Sequence, residues 1–266
     1  MNPIAFTLFG YDIRWYSLLI LAGVFIGYIL VIREAKKFKI SKDFVFNTFF
    51  WSLVIGIIGA RLYYVLFNWD YFGSHIGEIW QIWQGGLAIH GGIIFGIITI
   101  AIYCKNHDFR LARMLDLLAP SLILAQAIGR WGNFFNVEAY GNATTLAHLE
   151  KMHIPGFIID GMNINGVYYT PTFFYESVWC LIGFFVIYFF RKRKMCKVSQ
   201  ASGLYLIWYS FGRFFIESSR TDSLILLGFK VAQFVSIIMF IIGIVLLIAS
   251  FQKGKYEDLY NDVNNV

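Results

Sequence analysis

Residues 129–141, Gly-Arg-Trp-Gly-Asn-Phe-Phe-Asn-Val-Glu-Ala-Tyr-Gly, form the densest run of chemistry-bearing side chains in the sequence. Gly129, Gly132 and Gly141 permit close backbone approach or positive φ. Between them stand one guanidinium (Arg130), two amides (Asn133, Asn136) and one carboxylate (Glu138). If helix persists to Glu138, then Arg130, Asn133 and Val137 share a face, since residues three and seven apart align on a helix. Farther on, Arg213 and Glu217 stand four apart and share a face too. A guanidinium stays charged in a low dielectric and offers phosphate oxygens a fork of donors. Such arginines suit an anionic ligand, although Arg213 and Glu217 read equally well as a structural ion pair. His90 adds an imidazole, the side chain that changes charge nearest neutral pH. Asp116 follows Arg113 by three residues and reads as a local ion pair. The sequence has no His, Asp, Glu or Cys set at metal-ligand spacing, so neither metal nor cofactor is expected.

The elements that must position these residues are helices made for lipid. Of 266 residues, 58% are apolar or aromatic, 20% are aromatic and only 14% are charged. Mean hydropathy is +0.63. An ordinary soluble domain carries about 25% charge, so a soluble domain, a disordered chain and a disulfide scaffold are excluded. A bilayer core needs about 20 mostly apolar residues as helix. Seven such runs can be read, at 15–32, 44–67, 87–104, 114–135, 173–190, 203–215 and 229–251, with 203–215 the shortest. They lack the period-2 alternation of barrel strands. The expected fold is therefore all-α, a single polytopic membrane domain over 1–266 with seven transmembrane helices.

Sorting the 22 Lys and Arg orients those helices. Five lie at 33–42, three at 105–113, five at 191–197 and two at 253–255, so fifteen fall on one side. Arg14, Lys151, Arg220 and Lys230 fall on the other. By the positive-inside rule the fifteen mark the cytoplasmic side. The N-terminus is then outside and the C-terminus inside, which an odd number of spans requires. The net charge of +6 thus reflects contact with anionic headgroups and not with nucleic acid. The first apolar run follows no basic segment, so it is read as a retained span and not as a cleaved signal. Residues 136–170 form the one long external loop, a cap region. Residues 68–86, rich in Trp and Tyr, read as an interfacial segment. Cys104, Cys180 and Cys196 are read as packing residues, with no disulfide expected. Gly23–Gly27, Gly92–Gly96 and Gly56–Gly59–Ala60 read as close helix contacts.

Charges inside a span cost about 2.5–3.5 kcal/mol on insertion scales and persist where they face an interior or a wet cavity. Arg61 lies about six residues, roughly 9 Å, before the outer end of its span. His90, Arg130, Glu176, Arg213 and Glu217 also lie near outer ends, and Glu138 follows on the same side; only Asp116 is cytoplasmic. A channel or transporter for an anionic solute, the alternative reading, needs ionisable groups along the whole depth. Crowding at one leaflet favours an enzyme that meets a lipid headgroup.

The central run resembles the signature of the bacterial prolipoprotein diacylglyceryl transferases, G-R-x-G-N-F-x-N-x-E-x-x-G, at every fixed position. Trp15-Tyr16, Gly59-Ala60-Arg61, His90-Gly91-Gly92, Pro171 through Tyr175-Glu176, and Arg213-x-x-x-Glu217-x-x-Arg220 resemble further family segments, in order, over nearly the whole chain. Thr170 and Phe173 stand where many members have His and Gln, and Arg220-Thr221-Asp222 lacks a Pro often found there. The resemblance implies transfer of the sn-1,2-diacylglyceryl group of phosphatidylglycerol to the lipobox cysteine of a prolipoprotein signal peptide. A thioether forms and glycerol 1-phosphate leaves. It further implies a bacterial cytoplasmic (inner) membrane location, with the lipid bilayer and both substrates as partners. On that basis Arg130 and Arg213 hold the phosphate. Asn133 and Glu138 orient the headgroup or Arg130, and Asn136 belongs to the lipid site. Tyr16, Arg61 and Gly141 contribute to the lipid site. His90 is the leading general base for the thiol, with Glu217 or Glu138 in its place as alternatives.

Overall fold

The computed structural model describes residues 2–8, 10–221, 224–226 and 228–262; Asp222 lies outside them. The described residues are mostly helical, at 69%. In order, the helices are α1 (Trp15–Ala35), α2 (Lys42–Phe67), α3 (Trp69–Phe72), α4 (Ile89–Asn106), α5 (Leu111–Asn136), α6 (Leu146–Lys151), α7 (Gly156–Gly161), α8 (Thr172–Arg191), α9 (Gln200–Ser218) and α10 (Val231–Phe251). Short strands, absent from an all-α reading, fall before α1 and between later helices. β1 (Ile4–Leu8) pairs antiparallel with β2 (Tyr11–Arg14). β3 (Ala143–Thr144), β4 (Asn163–Ile164) and β5 (Val167–Tyr169) make a sheet in the order β3-β5-β4, and β6 (Ile225–Leu226) pairs with β7 (Phe229–Lys230).

Among the described residues, six helices are long and apolar enough to cross a membrane: α1 with its extension to Phe38, α2, α4, α5, α8 and α10. The chain is a multi-pass helical membrane protein. The seventh expected span, α9, has the length at 19 residues, but Gln200, Ser202, Ser210, Arg213 and Glu217 dilute its apolar character. Burial in α10 is inverted relative to a helix of a soluble fold. In α10 the buried residues are Ser236, Gly243 and Ser250, seven apart, while Phe234, Ile241 and Val245 are exposed. Lipid tails are as apolar as Leu, so helices associate through small residues and leave large apolar ones outward.

Two compact units divide the chain, 1–30 with 115–262 and 31–114. In the second, α2 packs on α4 through glycines. A Cβ on Gly91 would lie 2.4 Å from the Gly59 carbonyl, and one on Gly59 would lie 2.3 Å from the Phe95 ring. Buried Arg61 projects from α2 and donates to four backbone carbonyls: Ile79 from Nε at 2.7 Å, Glu78 from Nη2 at 2.7 Å, and Gly85 and Gly86 from Nη1 at 2.9 and 3.1 Å. The aromatic 68–86 segment is thereby tied to α2.

In the first unit, Gly23 and Gly27 of α1 meet Ala125 and Ser121 of α5. Helices α8 and α9 lock reciprocally. The Trp179 indole N–H donates to the Trp208 carbonyl at 2.9 Å, and the Trp208 N–H to the Trp179 carbonyl at 3.0 Å. The rings stack at 4.6 Å. Each indole covers a glycine on the facing helix: Trp179 lies over Gly212 and Trp208 over Gly183. Within residues 136–170, Leu149, Ile154, Ile158 and Met162 are buried in one apolar cluster with Phe134 and Phe173.

Candidate active site

Five charged side chains from α5, α8, α9 and the residue after next form an alternating chain. Glu176, nearly fully buried at the start of α8, takes Arg130 Nη2 on Oε1 at 2.7 Å and Arg213 Nη1 on Oε2 at 3.1 Å. Arg213 Nη2 also meets Glu217 Oε2 at 2.7 Å, and Arg220 Nε lies 4.0 Å from the same oxygen. Arg213 and Glu217 are thus the expected i, i+4 pair. The sequence alone leaves Glu176 peripheral, whereas in the fold it is the bridge between the two arginines. Three guanidiniums against two carboxylates leave these five groups a net charge of +1. The Tyr209 hydroxyl accepts from Arg130 at 3.5 Å.

The packing beneath explains how such charges are held. Pro120 sits inside α5 and has no N–H, which leaves the carbonyl of Asp116 without its helical donor. Arg191, closing α8, supplies one: its Nη1 donates to the carbonyls of Asp116 and Leu117, each at 3.2 Å. The Asp116 carboxylate, read from sequence as a partner for Arg113, is spent elsewhere. It accepts the backbone N–H of Ser199 at 2.6 Å and of Ser202 at 2.8 Å, capping the N-terminus of α9. At the other end of α9, Lys230 Nζ donates to the carbonyls of Glu217, Ser218 and Arg220 at 2.7, 3.1 and 3.0 Å. The helix bearing Arg213 and Glu217 is therefore capped at both ends by charged side chains distant in sequence.

The rest of the signature forms a second polar group. Helix α5 ends at Asn136, so the helical face proposed to reach Val137 does not form. Val137 and Ala139 leave it with φ of 53° and 58°, a left-handed conformation costly for non-glycine residues and above all for a β-branched one. The turn brings Glu138 back over the helix end, where Oε1 accepts from Asn133 at 3.0 Å and Asn136 at 3.3 Å. Glu138 and Tyr140 line a cleft with Val137, Ala139 and Thr221. Gly141 donates its N–H to the Thr170 carbonyl at 2.9 Å and pairs antiparallel with Arg220, joining the two motifs. A Cβ there would lie 2.9 Å from Thr172. The Tyr16 ring covers Gly132, whose Cβ would lie 2.5 Å from it.

The fold thus brings Arg130, Arg213 and Glu217 together, groups Asn133, Asn136 and Glu138, and packs Tyr16 and Gly141 against the signature. His90 and Arg61 belong to the other compact unit. His90 is exposed in the first turn of α4, with its ring 6.2 Å from that of Tyr63. Sequence reasoning passed over Tyr209 and Lys230. An unusual lysine beside an apolar run was the only available signal for the latter, and Tyr209 gave none.

The family model described as prolipoprotein diacylglyceryl transferase matches residues 3–249. Bacterial proteins named phosphatidylglycerol–prolipoprotein diacylglyceryl transferase are similar over almost their full length. The one from Staphylococcus carnosus (strain TM300) is 46% identical over 263 residues, covering 97% of this chain and 95% of the relative. Those of Pediococcus pentosaceus (45% over 261 residues; 97% and 94%) and Ligilactobacillus salivarius (46% over 259; 97% and 95%) match as well. With its signature intact and its arginines held in one ion-paired chain, this protein belongs to the prolipoprotein diacylglyceryl transferase family.

Proposed function

We propose that the chain transfers the diacylglyceryl group of phosphatidylglycerol to the lipobox cysteine of a prolipoprotein. The observation that carries the reading is the chain Arg130–Glu176–Arg213–Glu217–Arg220. In the reaction the cysteine sulfur bonds to the sn-3 carbon of the lipid glycerol. The bond from that carbon to the bridging phosphate oxygen breaks, and its electron pair leaves on glycerol 1-phosphate. Negative charge grows on the phosphate as it departs. Fixed donors already aimed at such a charge need no reorganisation at that moment. The two carboxylates hold the guanidiniums in place, and the residual positive charge favours an anionic lipid over a zwitterionic one. Asn133 and Asn136 fix the Glu138 carboxylate, which is thereby set to take hydroxyl protons of the glycerol headgroup. Tyr16 and Gly141 shape the signature's packing, and Arg61 secures the interfacial segment. Thiolate and not thiol is the nucleophile, and the leading base for the thiol proton is His90, exposed at the start of α4, with Glu217 or Glu138 as the alternatives.

The positive-inside count supports a cytoplasmic-membrane protein with α9 as its seventh span, the N-terminus outside and the arginine chain near the outer leaflet. There both a lipid and the signal peptide of a secreted precursor reach it laterally. The test is direct. Purified protein is incubated with phosphatidylglycerol and a lipobox peptide, and peptide mass and glycerol phosphate are followed. The peptide gains a diacylglyceryl mass, and Arg130→Ala lowers the rate about 10²–10³-fold while the protein still folds. No mass gain by the wild-type protein defeats the reading. Unchanged turnover in the variant removes Arg130 from the mechanism.

A further inference from the structure

One turn from Arg130, toward the start of α5, Gln126 donates from Nε2 to the Tyr205 hydroxyl at 3.0 Å. Tyr205 in turn lies one turn before Tyr209 on α9, and the two phenol rings stack with centroids 6.1 Å apart and planes 12° from parallel. Helices α5 and α9 therefore carry two rungs, Arg130–Tyr209 and Gln126–Tyr205, about 6 Å apart along the helices. The upper rung shares its arginine with the ion-pair chain. The lower rung carries no charge, and its hydrogen bonding is incomplete among the described residues. The Tyr205 oxygen receives the amide, so its own O–H is still to be donated, and Gln126 Oε1 is buried without a partner. If the amide is turned over, Tyr205 donates to Oε1 and the Gln126 N–H donors are left at the buried position instead. In either arrangement a donor remains in a largely apolar setting, where an unmet polar group is costly.

With the amide turned over, a neutral acceptor one turn inward from a bound phosphate would meet the Gln126 N–H that is left open at this rung. Acyl-ester carbonyls of a glycerophospholipid have that character: they accept without donating, carry no charge, and lie a few bonds inward of the phosphate. We infer that Gln126 and Tyr205 recognise an ester carbonyl of the diacylglyceryl substrate, so that the enzyme distinguishes ester-linked from ether-linked lipid. This rests on the proposed transferase function and on Arg130 as its phosphate ligand. The ester is remote from the bond that breaks, so its recognition acts on KM and not on kcat.

The experiment compares 1,2-diacyl and 1,2-dialkyl phosphatidylglycerol of matched chain length, in the same micelles, as donors to a lipobox peptide with the full chain. The wild type uses the diacyl lipid about tenfold more efficiently, a difference in KM of the size one hydrogen bond provides. Tyr205→Phe and Gln126→Leu each bring the ratio toward one by raising KM for the diacyl lipid. Equal use of both lipids by the wild type overturns the inference and would fit a water molecule at the rung; so does a tenfold preference that survives both variants. Absence of transfer from the diacyl lipid by the wild type is a different result, and it defeats the transferase reading itself.

Discussion

Glu176 is the residue on which the arginines depend. Its carboxylate is 4% exposed and bridges Arg130 and Arg213. Removing one partner from a buried ion pair leaves an uncompensated charge, at a typical cost of about 3–5 kcal/mol. In Glu176→Gln two guanidiniums would face each other across a neutral amide. The expected outcome is a transfer rate lower by about 10²-fold or more, with a lower midpoint of thermal unfolding in detergent. Activity within a few-fold of wild type would show that the arginines hold their positions without it. Sequence reading reached the arginines and the signature because their types are rare in apolar runs. It did not reach the pairing, because Glu176 lies 46 residues from Arg130 and 37 from Arg213, and spacing carries no sign of contacts made across helices. For the same reason Arg61 looked like a ligand for lipid, while in the fold its donors meet carbonyls 17 to 25 residues on.

At the scale of elements, the positions of Glu176 and Arg213 follow from the reciprocal tryptophan lock. Trp179 is one turn from Glu176, and Gly212 precedes Arg213. A Cβ at Gly212 would lie 2.2 Å from Trp179 Nε1, and the indole cannot swing aside without losing its bond to the Trp208 carbonyl. Overpacking of this kind costs about 1–3 kcal/mol. Gly212→Ala is expected to lower the unfolding midpoint and the transfer rate together. The second change Trp179→Leu, which removes the clash, should return part of both. A Gly212→Ala protein that matches the wild type would show that the two helices approach less closely than described. The long helices were legible from apolar runs to within a few residues, whereas the short α3, α6 and α7 were not. The strands were not: pairs of two to five residues depend on partners elsewhere and leave no periodicity to read. The turn that follows α5 was not legible either. Nothing in the composition of Asn136–Val137–Glu138 announces a left-handed β-branched residue, which is imposed from outside by contacts such as the hydrogen bond of the Thr172 hydroxyl to the Ala139 carbonyl.

For the whole molecule, orientation rests on fifteen basic residues, and the count of spans rests on α9. Both can be read in cells carrying single cysteines in a background without Cys104, Cys180 and Cys196. Met195 and Leu224 are exposed and bracket α9 alone. An impermeant maleimide applied to intact cells should label Leu224→Cys and Val167→Cys and spare Met195→Cys and Lys255→Cys. Labelling of both brackets, or of neither, would mean that α9 does not cross. Labelling of Lys255→Cys with protection of Val167→Cys would reverse the orientation.

The double capping of α9 also bears on how the protein is made. A segment with Arg213, Glu217, Ser210 and Gln200 gains little by leaving the insertion machinery alone. The groups that satisfy its two ends arrive at different times: Asp116 is synthesised long before it and Lys230 shortly after. Helix α8, already present, offers the tryptophan lock and Glu176, so α9 is expected to enter the bilayer as the second arm of a hairpin and not as an independent span. In a translation assay that reports membrane integration, α9 on its own should integrate poorly and α8–α9 together efficiently, with Glu176→Gln lowering the yield of the pair. Efficient integration of α9 by itself would remove this dependence. Poor integration of α9 alone and efficient integration of the pair would give the ion pairs proposed for the headgroup chemistry an earlier use, as the passport by which a polar helix is admitted to lipid.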